Sequence, residues 1–165
     1  MNYEPAFILT LRLDPSAQDF FDQLRQRHFP PERNFLKAHL TLFHKLPPTE
    51  DTIKLLDNLT FCPFDVEITG LRNLGNGVAY SVKGQELDRL HSSLKSIFSQ
   101  HLSPQDSQGF RGHITIQNKV SPGQAKSLLA ERAADFQPFI ASASGVDLWE
   151  YLGGPWIYKD FFPFR

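Results

Sequence analysis

Two segments of the sequence contain a histidine and a threonine with one residue between them. His39 and Thr41 form the first pair, and His113 and Thr115 form the second. Apolar residues alternate with these polar ones, which predicts a β-strand in both segments. Because alternate side chains of a strand share a face, each histidine lies on the same face as its threonine, roughly 7 Å along the strand.

These groups together fit cleavage of a phosphodiester without a metal ion. Imidazole has an unperturbed pKa near neutrality, so two imidazoles can hold opposite protonation states. One can take a proton from water while the other protonates the departing oxygen, and each role typically accelerates a reaction about 10²–10⁴-fold. The threonine hydroxyls can donate hydrogen bonds to phosphoryl oxygens, where charge builds in the transition state. We therefore predict that His39, His113, Thr41 and Thr115 are catalytic.

Three more residues share the predicted face of the motif strands and are candidates for substrate binding. Arg111 precedes His113 by two residues and could hold a phosphate with its planar guanidinium, although a surface ion pair is an equally good explanation. Phe43 follows Thr41 by two residues and could stack on a base, although core packing is the simpler explanation. Gln117 has the same alternation in the second strand.

Other histidines and aromatic residues have mainly structural explanations. Alternation puts His44 on the face opposite the motifs, so we expect it to pack under a helix or reach solvent. His91 lies in the apolar stripe of a predicted helix, which indicates a partly buried structural residue. Trp156 and Tyr158 could line a nucleotide pocket, although packing between strands explains them more simply.

The sequence favours chemistry that needs neither a metal nor a cofactor. Zinc requires three or four nitrogen, sulfur or oxygen ligands, and a His-x-Thr pair is a poor chelate. Cys62 is the only cysteine, which excludes an intrachain disulfide and a cysteine-based metal cluster. The sequence contains no glycine-rich phosphate loop in the required context and no Gly-x-Ser-x-Gly turn.

The elements that must position these residues follow from apolar periodicity and turn signals. Strands are predicted at 4–13, 38–46, 63–71, 78–83, 111–120, 139–150 and 155–162. Helices are predicted after Asp14, after Pro48, over 85–101 and after Ser121, where Gln124 completes a capping box. This order predicts an α+β protein in which helices cover sheets.

The second half of the chain repeats the first. A shift of 74 residues superposes His39 on His113 and Thr41 on Thr115, and a shift of 75 superposes Gly70 on Gly145. Any two β-α-β segments share some features, but these matches include polar residues that packing does not require. We therefore predict one domain over 1–165 with a duplicated, bilobal fold. Two antiparallel-type sheets flanked by helices would enclose a central cleft between pseudo-symmetric lobes.

Composition limits the partners of the protein. Its 165 residues carry 17 Lys and Arg against 18 Asp and Glu, a net charge of -1. This balance excludes a general nucleic-acid coat but allows a local basic pocket. The N-terminus has neither a basic region nor a long apolar run, so we predict no signal peptide, no membrane span and a cytoplasmic location. No obligate protein partner is indicated.

At the paired motifs the sequence resembles the 2H phosphoesterase superfamily, which includes 2'-5' RNA ligase and RNA 2',3'-cyclic phosphodiesterase proteins. That superfamily has two His-x-Thr/Ser-x motifs in a duplicated bilobal fold, matched here by 39–42 and 113–116. Residues 31–34 precede the first motif at about the usual distance, and 110–112 look like the Phe-Arg-Pro of the family with Gly112 in the proline position.

The resemblance implies a hydrolase without a cofactor that opens a 2',3'-cyclic phosphate, or a related diester, on an RNA terminus or a small nucleotide. The RNA-end members leave a 2'-phosphate, and 2'-5' ligation would be the reverse reaction. His39 would protonate the leaving 3'-oxygen and His113 would activate water, or the roles would be exchanged. The alternatives are a hydrolase of a small non-RNA phosphodiester and a module that binds an RNA end or nucleotide without turnover.

Overall fold

The computed structural model describes residues 3–165, in which helices and strands alternate as the periodicity predicts. The elements are β1 (Ala6–Leu13), α1 (Pro15–His28), a 3₁₀ helix (Pro31–Arg33), β2 (Leu40–Leu46), α2 (Glu50–Asp57), β3 (Phe64–Asn73), β4 (Val78–Lys83), α3 (Gln85–Ile97), β5 (His113–Gln117), α4 (Pro122–Ala134), β6 (Phe139–Tyr151) and β7 (Ile157–Pro163). The predicted α+β class is confirmed.

One antiparallel sheet of seven strands runs through residues 3–165, in the order β2-β1-β6-β3-β4-β5 with β7 also paired to β6. Residues 139–143 of β6 pair with β3, and the remainder of β6 pairs with β1 and β7. The two predicted sheets are therefore joined into one, because β6 is long enough to pair with both halves in succession. Counted from its two edges, the sheet has corresponding strands in the same order: β2, β1 and β6 from one edge match β5, β4 and β3 from the other. This symmetry is the arrangement that the predicted repeat would produce.

The motif strands β2 and β5 lie at opposite ends of this strand order and nevertheless contact each other. The accumulated twist of the sheet brings its two edges together. Helix α1 also packs against β5, where buried Arg25 donates from Nη1 to the carbonyl oxygen of Thr115 at 3.1 Å. The topology therefore brings the two motifs, separated along the chain, into one region.

Local sequence signals fix where the helices begin. The side chain of Asp14 accepts a hydrogen bond from the amide of Ala17 at 2.9 Å, which caps α1. Ser121 and Gln124 form a reciprocal capping box at the start of α4, as the sequence predicts. Within residues 3–165, no helix has the length and apolar character that crossing a membrane would require.

Candidate active site

The main chain holds both motif histidines in the same way. Nδ1 of His39 lies 2.8 Å from the carbonyl oxygen of Lys37, and Nδ1 of His113 lies 2.9 Å from that of Arg111. Because a carbonyl oxygen only accepts, we assign the hydrogen of each ring to Nδ1. In the neutral form of each ring, Nε2 then keeps its lone pair and is the atom available for proton transfer.

Burial is the main cause that lowers the pKa of both imidazoles. The pKa of His39 is lowered to about 4, and desolvation is the largest cause. The hydrogen bond to the carbonyl of Lys37 raises this pKa, whereas the charges of Arg25, His44 and His113 lower it. The pKa of His113 is also lowered, first by desolvation and then by nearby arginines. In the free protein at neutral pH, His39 is therefore an unprotonated base.

A β-bulge directly after the first motif threonine changes which side chains face the motifs. Thr41 pairs with Thr10, but Phe43, two residues on, pairs with the adjacent Leu9. The extra residue interrupts the alternation of faces. Phe43 therefore turns into the core, where it is fully buried and stacks on His91 with the ring centroids 4.6 Å apart. This corrects the prediction that Phe43 contacts the substrate.

Strand β5 has the same irregularity at the corresponding place. Thr115 pairs with Ala79, and Gln117, two residues on, pairs with the adjacent Val78. Gln117 is only 7% exposed, and its Oε1 has no hydrogen-bond partner within residues 3–165. The alternation that suggested a substrate contact for Gln117 therefore does not hold, and we leave this residue out of the site.

The first bulge also moves His44 toward the motif face, contrary to the prediction from alternation. Its side chain is 42% exposed, and its Nδ1 lies 3.2 Å from Oδ1 of Asp106. The buried carboxylate of Asp106 also accepts from the backbone amides of His44 and Lys45, each at 2.8 Å. His44 contributes to the lowered pKa of both motif histidines. No sequence signal predicted this bulge, so sequence reasoning missed His44.

An aromatic pocket of about 310 Å³ adjoins His39. Its lining includes Lys37, His39, Arg12, Trp149, Trp156 and Tyr158. The Trp156 ring lies 4.8 Å from that of His39, centroid to centroid, and Trp149 is fixed by a 3.0 Å hydrogen bond from its Nε1 to Thr10. Tyr158 of β7 packs edge-on against Trp149 of β6, and Trp156 lies directly before β7; both residues also line the pocket.

A second hollow, of about 560 Å³, adjoins His113 and differs in its polar lining. Arg72, Arg111, Lys83 and Asp88 supply its charged groups. Arg111 therefore lines this hollow, and its predicted contact with a phosphate stays a prediction. Arg72, which the sequence reasoning missed, places Nη1 3.4 Å from Nδ1 of His113. No group of three or more His, Cys, Asp or Glu residues suited to a metal ion occurs in the described part of the chain.

Three solved structures share this fold at low sequence identity. Escherichia coli LigT complexed with 3'-AMP aligns at a TM-score of 0.67 with 17% identity, covering 98% of this chain and 99% of that chain. TT0787 of Thermus thermophilus aligns at 0.69 with 16% identity, covering 97% and 98%. A protein described as a phosphoesterase aligns at 0.66 with 16% identity, covering 98% and 99%.

The chain matches no curated protein sequence. The family model of the 2'-5' RNA ligase superfamily matches residues 13–155, which include both His-x-Thr motifs and the strands that carry them. This match covers most of the chain and agrees with the resemblance that the motifs indicate. The protein therefore belongs to the 2'-5' RNA ligase superfamily, the 2H phosphoesterases.

Proposed function

We propose that the protein is a metal-independent phosphodiesterase that hydrolyses a 2',3'-cyclic phosphate, or a related diester, on an RNA end or a nucleotide. The observation that carries this proposal is the matched pair of imidazoles at the start of two contacting strands, His39 just before β2 and His113 at the first residue of β5. Each has Nδ1 bound to a backbone carbonyl, and neither Nε2 has a hydrogen-bond partner among residues 3–165. Two such groups are what general acid–base hydrolysis of a phosphodiester requires. Such an RNA-processing role agrees with the cytoplasmic location that the sequence predicts.

The reaction would proceed with the phosphorus between His39 and His113. One Nε2 takes a proton from water as the water oxygen forms its bond to phosphorus. The other imidazole, protonated at Nε2, gives that proton to the ribose oxygen as its bond to phosphorus breaks. The hydroxyls of Thr41 and Thr115 donate hydrogen bonds to the non-bridging oxygens, where they stabilise the developing charge.

The low pKa of His39 favours the base role for this residue, which leaves the acid role to His113. The resemblance to the superfamily implied the opposite assignment as its first choice. A cyclic nucleotide with sulfur in place of the 3'-oxygen separates the two, because a thiolate leaves without protonation. The variant that lacks the acid should regain activity on this substrate, and the variant that lacks the base should not.

The aromatic pocket beside His39 suits the base of a nucleotide whose phosphate lies between the histidines. Trp149, Trp156 and Tyr158 offer ring faces, and stacking on them accepts any base. Structures of LigT complexed with 3'-AMP, with ATP and with NADP+ share the fold of this chain. A nucleotide-sized substrate is therefore the form of the proposal that the pocket supports.

Incubation with an RNA that ends in a 2',3'-cyclic phosphate tests the proposed function. Hydrolysis should persist in excess chelator, show a bell-shaped pH profile and leave the phosphate on one ribose oxygen, which the superfamily resemblance expects to be O2'. Loss of hydrolysis in chelator with recovery on adding zinc would contradict the mechanism. Tight binding of the RNA end without hydrolysis at any pH would favour the binding module. Faster hydrolysis of a non-nucleotide diester would favour the small-substrate enzyme.

A further inference from the structure

Beside His113, small residues of β4 lie between strands β5 and β3. Two rows of register partners cross from β5 through β4 to β3, His113–Ser81–Gly70 and Thr115–Ala79–Arg72. In each row the central position has a short side chain, so nothing on β4 blocks the space between the flanking strands. The Arg72 side chain is thereby able to reach across β4 to His113, where it ends 3.4 Å from Nδ1.

With the hydrogen of His113 assigned to Nδ1, the guanidinium of Arg72 has no hydrogen-bond acceptor among residues 3–165. Nδ1 of His113 already uses its hydrogen to donate to the carbonyl of Arg111, so it offers no lone pair to Arg72. No carboxylate lies within 4.0 Å of Arg72 or Arg111 in residues 3–165. Asp88 is the acidic residue among those that line the hollow, so its arginines outnumber the carboxylates.

The corresponding row of the other half is neutralised. Thr41 pairs with Thr10, and Thr10 pairs with Asp147, so Asp147 is the counterpart of Arg72. Asp147 accepts from the Arg12 guanidinium at 2.6 and 3.1 Å, which leaves no free charge. In the described part of the chain, the sheet thus carries an arginine without a carboxylate partner near His113 and an arginine–aspartate ion pair near His39.

We propose that the hollow binds a second phosphate of the substrate, one attached to the 5'-oxygen of the nucleotide whose 3'-phosphate lies between the histidines. This inference rests on the proposed function. Arg72 approaches His113 at Nδ1 rather than Nε2, so it flanks the reacting phosphate instead of lying against it. Two arginines can hold a phosphate through paired N–H groups. The substrate class is therefore a nucleotide with a 5'-phosphate, either a monoester or the upstream diester of an RNA chain.

Binding measurements test the subsite without relying on turnover. Calorimetry would compare adenosine 3'-phosphate, adenosine 3',5'-bisphosphate and a dinucleotide that has a phosphodiester at the same 5'-oxygen. The wild-type protein should bind the two 5'-phosphorylated ligands about 10- to 100-fold more tightly than adenosine 3'-phosphate, the range for hydrogen bonds to charged groups. Tighter binding of the dinucleotide alone would identify the bound 5'-phosphate as the upstream diester of an RNA chain. Tighter binding of the bisphosphate alone would identify it as a free 5'-monoester.

Arg72→Gln should remove most of this gain, and its melting temperature should first be matched to that of the wild type. Arg89→Gln is the control, because Arg89 is an exposed arginine on α3 that pairs with Glu86 outside the hollow. It removes the same charge and should keep the full gain. Equal affinity of the wild type for all three ligands, or an unchanged gain in Arg72→Gln, would overturn the subsite.

Turnover separates the subsite from the proposed function. If the wild type hydrolyses cyclic nucleotides but shows no preference for a 5'-phosphate in binding or in kcat/KM, the subsite is wrong and the function stands. If it hydrolyses none of them but keeps the Arg72-dependent preference in binding, the function is wrong and the subsite stands.

Discussion

The His39 side and the His113 side of this molecule present the same reactive groups in different surroundings. Each has an imidazole fixed through Nδ1, a threonine two residues on and a β-bulge directly after it. Beside His39 the pocket is lined by aromatic side chains, and Arg12 forms an ion pair with Asp147. Around His113 the arginines have no carboxylate partner within residues 3–165. The groups that the two sides share would perform the reaction. The groups that differ would decide which end of a substrate lies beside His39 and which beside His113.

The largest effects should come from the groups that both sides share. His39→Ala and His113→Ala should each lower kcat for a 2',3'-cyclic nucleotide about 10²–10⁴-fold, because each removes one proton-transfer step. Both variants should keep the circular dichroism spectrum of the wild type. His101→Ala, at an exposed site after α3, is the control and should keep full activity. A variant of one motif histidine with normal kcat would mean that only one side of the molecule takes part.

The threonines should matter less than the histidines. Thr41→Val and Thr115→Val keep the shape of the side chain but remove a donor to the transition state, so each should lower kcat about 10- to 100-fold. Steady-state kinetics should show little change in KM. If KM rises and kcat does not change, the hydroxyls bind the ground state instead, and their assigned role is wrong.

Loss of an aromatic ring from the pocket beside His39 should weaken substrate binding. Trp156→Ala should raise KM for a cyclic nucleotide about tenfold or more, because a stacked base contributes about 1–3 kcal/mol. Tyr3→Leu removes an aromatic ring outside the pocket and is the matched control. Equal KM values for the wild type and Trp156→Ala would exclude this pocket as the base site.

The smallest effect should appear in stability against pH. The pKa of His39 is about 4 in the folded protein, and that of an unfolded histidine is about 6.5. Between these values the unfolded chain binds more protons, so the free energy of unfolding falls as the pH falls. Melting temperatures between pH 7 and 4.5 should therefore fall more for the wild type than for His39→Asn. Parallel curves would contradict the lowered pKa of the half-buried His39. The same comparison with His113→Asn tests the second motif histidine.

The sequence predicted the elements well where the signal is local. The Asp14 cap, the capping box of Ser121 and Gln124, and the β-α order are all present. Strand β5 is shorter than predicted, covering His113–Gln117 instead of 111–120, because only those residues form the ladder with β4. The first and last residues of a strand depend on where its partner strand pairs with it, and the periodicity of one strand alone does not show this.

The site was predicted less completely, and the bulges are the reason. Alternation placed Phe43 and Gln117 beside the substrate and His44 away from it, and one extra residue in each strand reverses this. Arg72 lies 41 residues before His113, and only the pairing of β3, β4 and β5 brings them together. The sequence singled out the motif histidines because the repeat marks them twice, and their catalytic role stays a prediction.

The central claim is that His39 and His113 act as one unit on a single phosphorus atom. The most direct test is kcat for the double variant His39→Ala/His113→Ala beside the two single variants. If one acid–base pair does the chemistry, the double variant should be only slightly slower than the slower single variant, because residues that act as a unit are not additive. If the two losses multiply, the histidines act independently and this account of the site is wrong.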